Sequence, residues 1–345
     1  MIRLIRDSLM ALAQPLARLL VSLALLPFVL PFAAQAQTPA GAYPSKPITL
    51  IAPYAVGGDS DLAARNFAQA AQKVLGVPVL VVNRTGASGV IGSAQALAAP
   101  ADGYTLLLAR PGSQSILPAI MPTRTKYRWD DYTFIGLLEL NPYGCMARAA
   151  QYKGFDELAS ALKARGKSMN FGTAGTLTTN DMGPRQLFRQ LNLGANAPTM
   201  IAYKGTNEAT LGLMSGDVDF ACGSIGTFLP QVRSGALRAL MVTTPERLAV
   251  LPDAPTAREL GFGEMQKIIG WSGIYGPPGL PQAVVDRLAE VMKAVAQDPA
   301  WIKGTEATGS IPYIRSPQDT REFAQAQFLL YRAIGESLNI IDKAE

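Results

Sequence analysis

Histidine is absent from the 345-residue chain. This removes Ser-His-Asp and Cys-His catalysis, any His-bearing metal site and the commonest general base near neutral pH. Cysteine is almost absent, with Cys145 and Cys222 alone. Both sit in apolar, strand-like runs. In an oxidising compartment the two are able to pair, but buried free thiols are also common in such surroundings. The sequence leaves both readings open, because a bridge depends on a Cα–Cα distance that it does not contain. No metal or cofactor is expected.

Phosphate and nucleophile motifs are lacking too. No G-x-S-x-G occurs. Val56-Gly57-Gly58-Asp59 lacks the G-x-G-x-x-G spacing of a dinucleotide loop, and Asp61 would face a pyrophosphate. Gly166-Lys167-Ser168 imitates the end of a phosphate-binding P-loop, but Ala161 replaces the first glycine and a helix precedes it. A helix end with a basic residue at its carbonyl pole explains it. Ser160-Ala161-Leu162-Lys163 matches S-x-x-K without the S-D-N and K-T-G partners of that enzyme class. Asp217 and Asp219 alternate around a strand start and point to opposite faces. An enzyme is therefore left without an acid–base constellation. No basic run with interleaved aromatics occurs, so nucleic acid is not an expected partner.

Long apolar runs are confined to the N-terminus. Arg3, Arg6 and Arg18 precede the apolar stretch Leu19 to Ala34, and Ala34-Gln35-Ala36 fits a small-x-small cleavage pattern. Residues 1–36 therefore read as a cleavable secretory leader rather than a span, which needs about 20 unbroken apolar residues. Pro27 and Pro31 interrupt this one. No twin arginine precedes it and no Cys follows the cleavage point, so general export without a lipid anchor is expected. The leader holds three Arg and one Asp, which leaves 28 Lys and Arg against 25 Asp and Glu. That small positive excess is compatible with an anionic small ligand. The remaining 309 residues suit two domains of ordinary size.

What is present is a repeated βαβ pattern. Ile48 to Tyr54 reads as a buried strand, followed by a helix capped at Asp59 or Ser60 and ending at Gly76. Pro78 to Val82 is a second strand, a small-residue helix runs to about Ala99, and Tyr104 to Ala109 is a third strand. A second set follows, with strands at Ser168 to Gly172, Met200 to Tyr203 and Val218 to Cys222. Its helices are Phe155 to Arg165, Gly183 to Leu191 and one ending near Met214. Phe134 to Leu140 and Leu237 to Thr243 read as crossings between domains. Two helices, Pro281 to Ala296 and Pro317 to Ser337, close the chain. The fold class is α/β, with two mostly parallel sheets flanked by helices and a cleft between. The expected domains are residues 43–138 plus 241–345, and residues 139–240.

Open parallel sheets bind ligands outside the carboxyl ends of their strands. Here those ends are rich in Gly, Ser, Thr and Asn: AVGGDSD, NRTGASG, ARPGSQS, GTAGTLTTND, YKGTNEA and CGSIGT. Each leads into a helix start with unpaired N–H donors, a lining that suits carboxylates.

The stretches YPSKPITLIAPYAVGGDSDLAAR (43–65), VPVLVVNRTGASGVIGSAQALAAPADGYTLLL (77–108), YKGTNEATLGLMSGDVDF (203–220), RLAVLPDAPTARELGF (247–262) and WSGIYGPPGLPQAVVDRL (271–288) carry a resemblance. The chain resembles the tripartite tricarboxylate transporter substrate-binding proteins, the Bug receptor family, over nearly all of the exported part. The resemblance implies a monomeric periplasmic receptor of two α/β domains in a type II-like binding-protein fold. It would hold a small organic anion (a di- or tricarboxylate, an amino acid or an aromatic acid) and hand it to membrane transporter subunits. Carried over by position, the first lobe contributes Tyr54, Val56, Gly57, Gly58, Asp61, Gly86, Ser88 and Gly89. The second contributes Gly175, Thr176, Thr178, Thr179, Asn180, Asp181, Lys204 and Gly205. Bland readings stand beside these. Tyr54 fits a core, the glycines fit their turns, and Asp61 fits a role in tying down its own loop. Asp181 stands where relatives often carry His, so an acid facing the pocket would favour a ligand amino or hydroxyl group. A sensory or scavenging receptor without a transporter is the alternative.

Overall fold

The computed structural model describes residues 43–194 and 197–342. The leader assigned to residues 1–36 lies outside the described residues. Among the described residues no helix is long and apolar enough to cross a membrane.

In chain order the first elements are β1 (Ile48–Ala52), α1 (Asp59–Leu75), β2 (Val79–Asn83), α2 (Val90–Leu97) and β3 (Thr105–Ala109). The chain then runs through β4 (Thr133–Asn141) and β5 (Tyr143–Arg148) to α3 (Phe155–Arg165), β6 (Asn170–Thr173) and α4 (Thr179–Gln190). Next come β7 (Thr199–Ala202), α5 (Thr206–Ser215), β8 (Phe220–Ser224), α6 (Ile225–Arg233) and β9 (Leu237–Val242). The tail is β10 (Gly270–Gly276), α7 (Gln282–Val295), α8 (Pro299–Ala307), β11 (Ile311–Arg315) and α9 (Pro317–Ser337).

Two sheets result. The six-stranded one runs β11-β4-β10-β3-β1-β2 and the five-stranded one β7-β6-β8-β5-β9. In each, three strands are parallel (β2, β1, β3 and β7, β6, β8) and the others join antiparallel. The sheets are thus mixed. The antiparallel pairs arise because each sheet takes a strand that enters from the other lobe: β5 next to β8, and β10 next to β3.

Strand burial follows the two-residue period of a pleat. Leu50, Leu106 and Leu108 face the core under α1 and α7 with Phe67, Val284 and Leu288. Their neighbours Ile51, Leu107 and Ala109 face the opposite core with Ala96, Trp271 and Tyr275. With both faces covered, residues 50–52 of β1 and 106–109 of β3 read as unbroken apolar runs. In the second lobe Cys145 and Cys222 face one core, while Met146 and Ala221 face the other.

The first crossing lies at Pro142, between β4 and β5, just after the apolar run Phe134 to Leu140, which is a strand of the six-stranded sheet rather than the crossing itself. The return crossing differs from expectation. β9 belongs wholly to the five-stranded sheet, and the chain re-enters the other sheet only at Gly270. Thr243 Oγ1 donates to the Ile268 carbonyl at 2.8 Å, which holds the return segment against the end of β9.

Cys145 and Cys222 are directly opposed on the antiparallel β5–β8 pair, 4.0 Å apart at Cα, and form a disulfide. The pleat that buries both sulfurs on one face also brings them together. That resolves the choice between a bridge and free thiols.

Candidate functional site

Four helix starts share one local device. α1 begins after Gly58, α4 after Thr178, α5 after Gly205 and α3 after Gly154, and none of these residues caps its helix with a side chain. Instead the acid at the third helical position reaches back to the N–H four residues earlier. Asp61 accepts from Gly57 N at 3.0 Å and Asp181 from Leu177 N at 2.8 Å. Glu208 accepts from Lys204 N at 3.1 Å and Glu157 from Lys153 N at 2.7 Å. This satisfies an orphan donor and places negative charge at the positive helix pole.

In α1 and α4 an arginine one turn on completes the clamp. Arg65 Nε donates to Asp61 at 3.0 Å and Arg185 Nε to Asp181 at 2.7 Å. Burial pushes Asp61 up, but the Arg65 bond, the Gly57 amide and Asn83 outweigh it and leave the carboxyl below its ordinary value. Asp181 is more deeply enclosed, and burial wins over Arg185 and the Leu177 amide, leaving it raised.

The clamped loops meet between the two sheets. Asn207 Nδ2 donates across the gap to the Val56 carbonyl at 2.9 Å. Ser224 Oγ donates to Asp59 Oδ2 at 2.8 Å and Thr206 Oγ1 to Asp59 Oδ1 at 3.4 Å. A Cβ on Gly205 would lie 3.1 Å from Ala55 Cβ, and one on Gly175 would lie 2.8 Å from Ser88 Oγ. The lobes are therefore closed on one another. They enclose a cavity of about 20 Å³ lined by Tyr54, Thr178, Thr179, Asn180 and Gly205, all anticipated from sequence. Asp59, Arg110, Pro111, Gly112, Ala174 and Thr206 complete the lining.

The other anticipated residues stand around this cavity rather than on it. Val56 is exposed and contributes its carbonyl to the Asn207 bridge. Gly57, at φ +77°, gives its N–H to Asp61, and Gly58 N donates to the Ala55 carbonyl at 3.3 Å. Gly86 and Gly89 shape the second loop, with Gly89 N donating to the Gly86 carbonyl at 3.0 Å. The Ser88 carbonyl accepts from Tyr54 Oη at 2.8 Å, which aims that ring. The Gly175 carbonyl accepts from Thr173 and Thr178 hydroxyls, each at 2.9 Å. Thr176 and Lys204 are exposed. The Asp61 and Asp181 carboxylates turn into their own loops instead of the cavity, because the N–H donors and arginines there supply partners.

Asp59 and Arg110 are the main residues that sequence reading left out of the site. Asp59 was read only as a cap. Arg110 follows the apolar run Leu106 to Ala109, and a charge ending a buried strand is the signal that marks it. Its side chain is 5 % exposed, and it is ion-paired with Asp59 through Nη2. Nη1 donates to Asn141 Oδ1 at 2.7 Å and Ser272 Oγ at 2.6 Å. Asn141 Nδ2 and Ser272 Oγ in turn donate to Glu139 Oε1, at 2.7 Å and 3.1 Å. Burial raises the Glu139 carboxyl above its ordinary range despite these bonds and the nearby Arg110 charge. This polar network lies where the crossing strands β4 and β10 run side by side.

Among the described residues no group of three His, Cys, Asp or Glu side chains is placed to hold a metal ion. The cavity has hydroxyls, amides, one guanidinium and one carboxylate. It is equipped to hold a small polar molecule.

Two α/β lobes with a cleft between their strand ends define the periplasmic binding proteins. The structure of the periplasmic binding protein BugD superposes with a TM-score of 0.82 at 28 % identity, over 87 % of this chain and all of that one. MatC from Rhodopseudomonas palustris with bound malate superposes at 0.80 with 28 % identity, over 85 % of this chain and all of that one. Residues 63–340 match the family described as the tripartite tricarboxylate transporter family receptor. A relative from Agrobacterium vitis, the UPF0065 protein in the TAR-I ttuE-ttuC' intergenic region, is 35 % identical over 285 residues, 82 % of this chain and 80 % of that one. The chain belongs to this receptor family, whose members bind solutes.

Proposed function

We propose that the protein is a periplasmic receptor that captures a small carboxylate between its lobes and delivers it to the membrane subunits of a tripartite tricarboxylate-type transporter. The observation that carries this reading is the buried Arg110 on a cavity whose other walls are helix starts from both lobes. The bound malate of MatC supports the carboxylate class. The ligand carboxylate meets Arg110, the N-terminal amides of α4 and α5, and the hydroxyls of Thr178, Thr179 and Thr206. Tyr54, Asn180, Gly112 and Gly205 shape the space around it. Gly57, Gly58, Gly86, Ser88, Gly89 and Gly175 act by positioning the loops.

Micromolar affinity corresponds to about 8 kcal/mol. A single helix start contributes ~0.3–1 kcal/mol and a charge-assisted hydrogen bond ~1.5–3 kcal/mol. Several donors from both lobes must act together, so capture requires closure. The lobes rotate about the crossings at Pro142 and between Ile268 and Gly270. The protein works as a monomer and leaves its ligand chemically unchanged. Residues 1–36 direct export and are removed.

A thermal-shift screen of mono-, di- and tricarboxylates, amino acids and aromatic acids tests this, with X-ray scattering of free and saturated protein. Stabilisation by at least one acid with compaction is expected. A screen in which no acid shifts the melting temperature would remove the receptor reading.

A further inference from the structure

The cavity presents one cation and one anion side by side. Arg110 and Asp59 both line it and are paired with each other. The Arg110 Nη1 donors point back to Asn141 and Ser272. Asp59 holds donors on both oxygens: Ser224 on one, Thr206 and its own neighbour Ser60 N (3.0 Å) on the other. Among the described residues no other cation lines this cavity. Arg65 and Arg185 are engaged by Asp61 and Asp181, and Lys204 is exposed. Glu139 stands behind Arg110 and adds no positive charge.

A ligand carboxylate reaching Arg110 has to share the guanidinium with Asp59 or part the two. The Asp59 carboxylate then lies beside the incoming negative charge in a closed, poorly hydrated space, which opposes binding. A second ligand carboxylate finds no second cation on the cavity wall. A ligand that brings its own positive charge removes the conflict: its carboxylate takes Arg110 and its ammonium takes Asp59. The two protein charges are in contact before the ligand arrives, so the ligand's charges must also be close together.

Resting on the receptor reading above, we propose that the ligand is a zwitterion with adjacent charges, an α- or β-amino acid, held between Arg110 and Asp59. Ser224 and Thr206 reach Asp59 from the second lobe, so the residue that receives the ammonium is also tied to the facing lobe.

Calorimetric titration with matched pairs tests the proposal on the unmodified protein. The pairs are alanine and propionate, aspartate and succinate, glutamate and glutarate, phenylalanine and 3-phenylpropionate, and β-alanine with propionate. At least one amino acid should bind about tenfold to a hundredfold more tightly than its partner without nitrogen, the range of one charge-assisted hydrogen bond. Asp59→Asn should abolish that preference. A nitrogen-free acid that binds as tightly as its amino partner overturns the zwitterion proposal and leaves carboxylate capture standing. Binding by neither set overturns both.

Discussion

Replacing both cysteines, Cys145→Ala with Cys222→Ala, removes a covalent tie across 77 residues of sequence. That span runs from the strand that enters the second lobe to the last of its three parallel strands, so it encloses β6, β7, α4 and α5. Releasing it returns loop-closure entropy to the unfolded chain, roughly 4 kcal/mol at 25 °C for a loop of this length. Both side chains are fully buried among apolar neighbours, so the change leaves small voids but no unpaired polar group. With a urea m-value of about 1–3 kcal/mol/M, the midpoint should fall by more than about 1 M. Unfolding followed by circular dichroism measures the size of the loss, and segment-resolved hydrogen exchange locates it. Amides of β6 and β8 should lose protection while β1 to β3 keep theirs. A midpoint unchanged to within about 0.3 M, or equal loss in both sheets, would refute the reasoning.

Gly226→Ala would drive a Cβ into the Thr308 carbonyl across the lobe junction; scattering should show a ligand-saturated variant that remains more extended than the parent, whereas Gly154→Ala, with nothing within 4 Å, should close normally. Glu139→Gln should raise the melting temperature increasingly as pH climbs above 4.5, the ordinary Glu value. The folded protein keeps that proton longer than the unfolded chain, so stability from this group is full at low pH and lost as pH rises through the folded value; calorimetric scans of both proteins from pH 4 to 8, a range on the order of the usual stability window, check the sign. Arg185→Met leaves the buried Asp181 with the Leu177 amide as its remaining hydrogen-bond partner. Because the arginine side chain is 34 % exposed, the expected loss is about 1–3 kcal/mol, read from urea unfolding.

Much of the architecture was legible because it rests on periodicity and punctuation. The apolar strands, Gly-ended helices and loop compositions placed β1 to β3 and β6 to β8 within a few residues. Among the elements given no range from sequence, which include β5 and α6, three escaped for physical reasons. β10 reads GWSGIYG, and its glycines hide a strand that is buried along its whole length between β3 and β4. Backbone crowding explains part of that composition, since a Cβ at Gly270 would lie 3.0 Å from Asn141 Cβ. α8 and β11 are short and lie in the tail, where two helices had been expected. α4 starts at Thr179, four residues before the Gly183 read from sequence, because Asp181 fastens the Thr- and Asn-rich stretch that otherwise reads as loop.

Site chemistry was legible in its backbone and less so in its charges. Tyr54, Thr178, Thr179, Asn180 and Gly205 were assigned from loop position and do converge on the cavity. Asp61 and Asp59 are two residues apart on one helix start, yet one turns into its loop and the other into the cleft. Periodicity alone cannot separate them. The pairing of Asp59 with Arg110 joins residues 51 positions apart, and only the folded sheet brings them together.

The Asp61–Arg65 and Asp181–Arg185 clamps give each lobe a frame that is independent of what the cleft holds. Both carboxylates find their partners within their own loops, so neither needs the guest for one. Residues 59, 110, 178 and 206 can be exchanged on that scaffold without unfastening it. Retargeting the receptor to a differently charged guest is then a matter of recolouring four positions, while the hoops that hold them stay as they are.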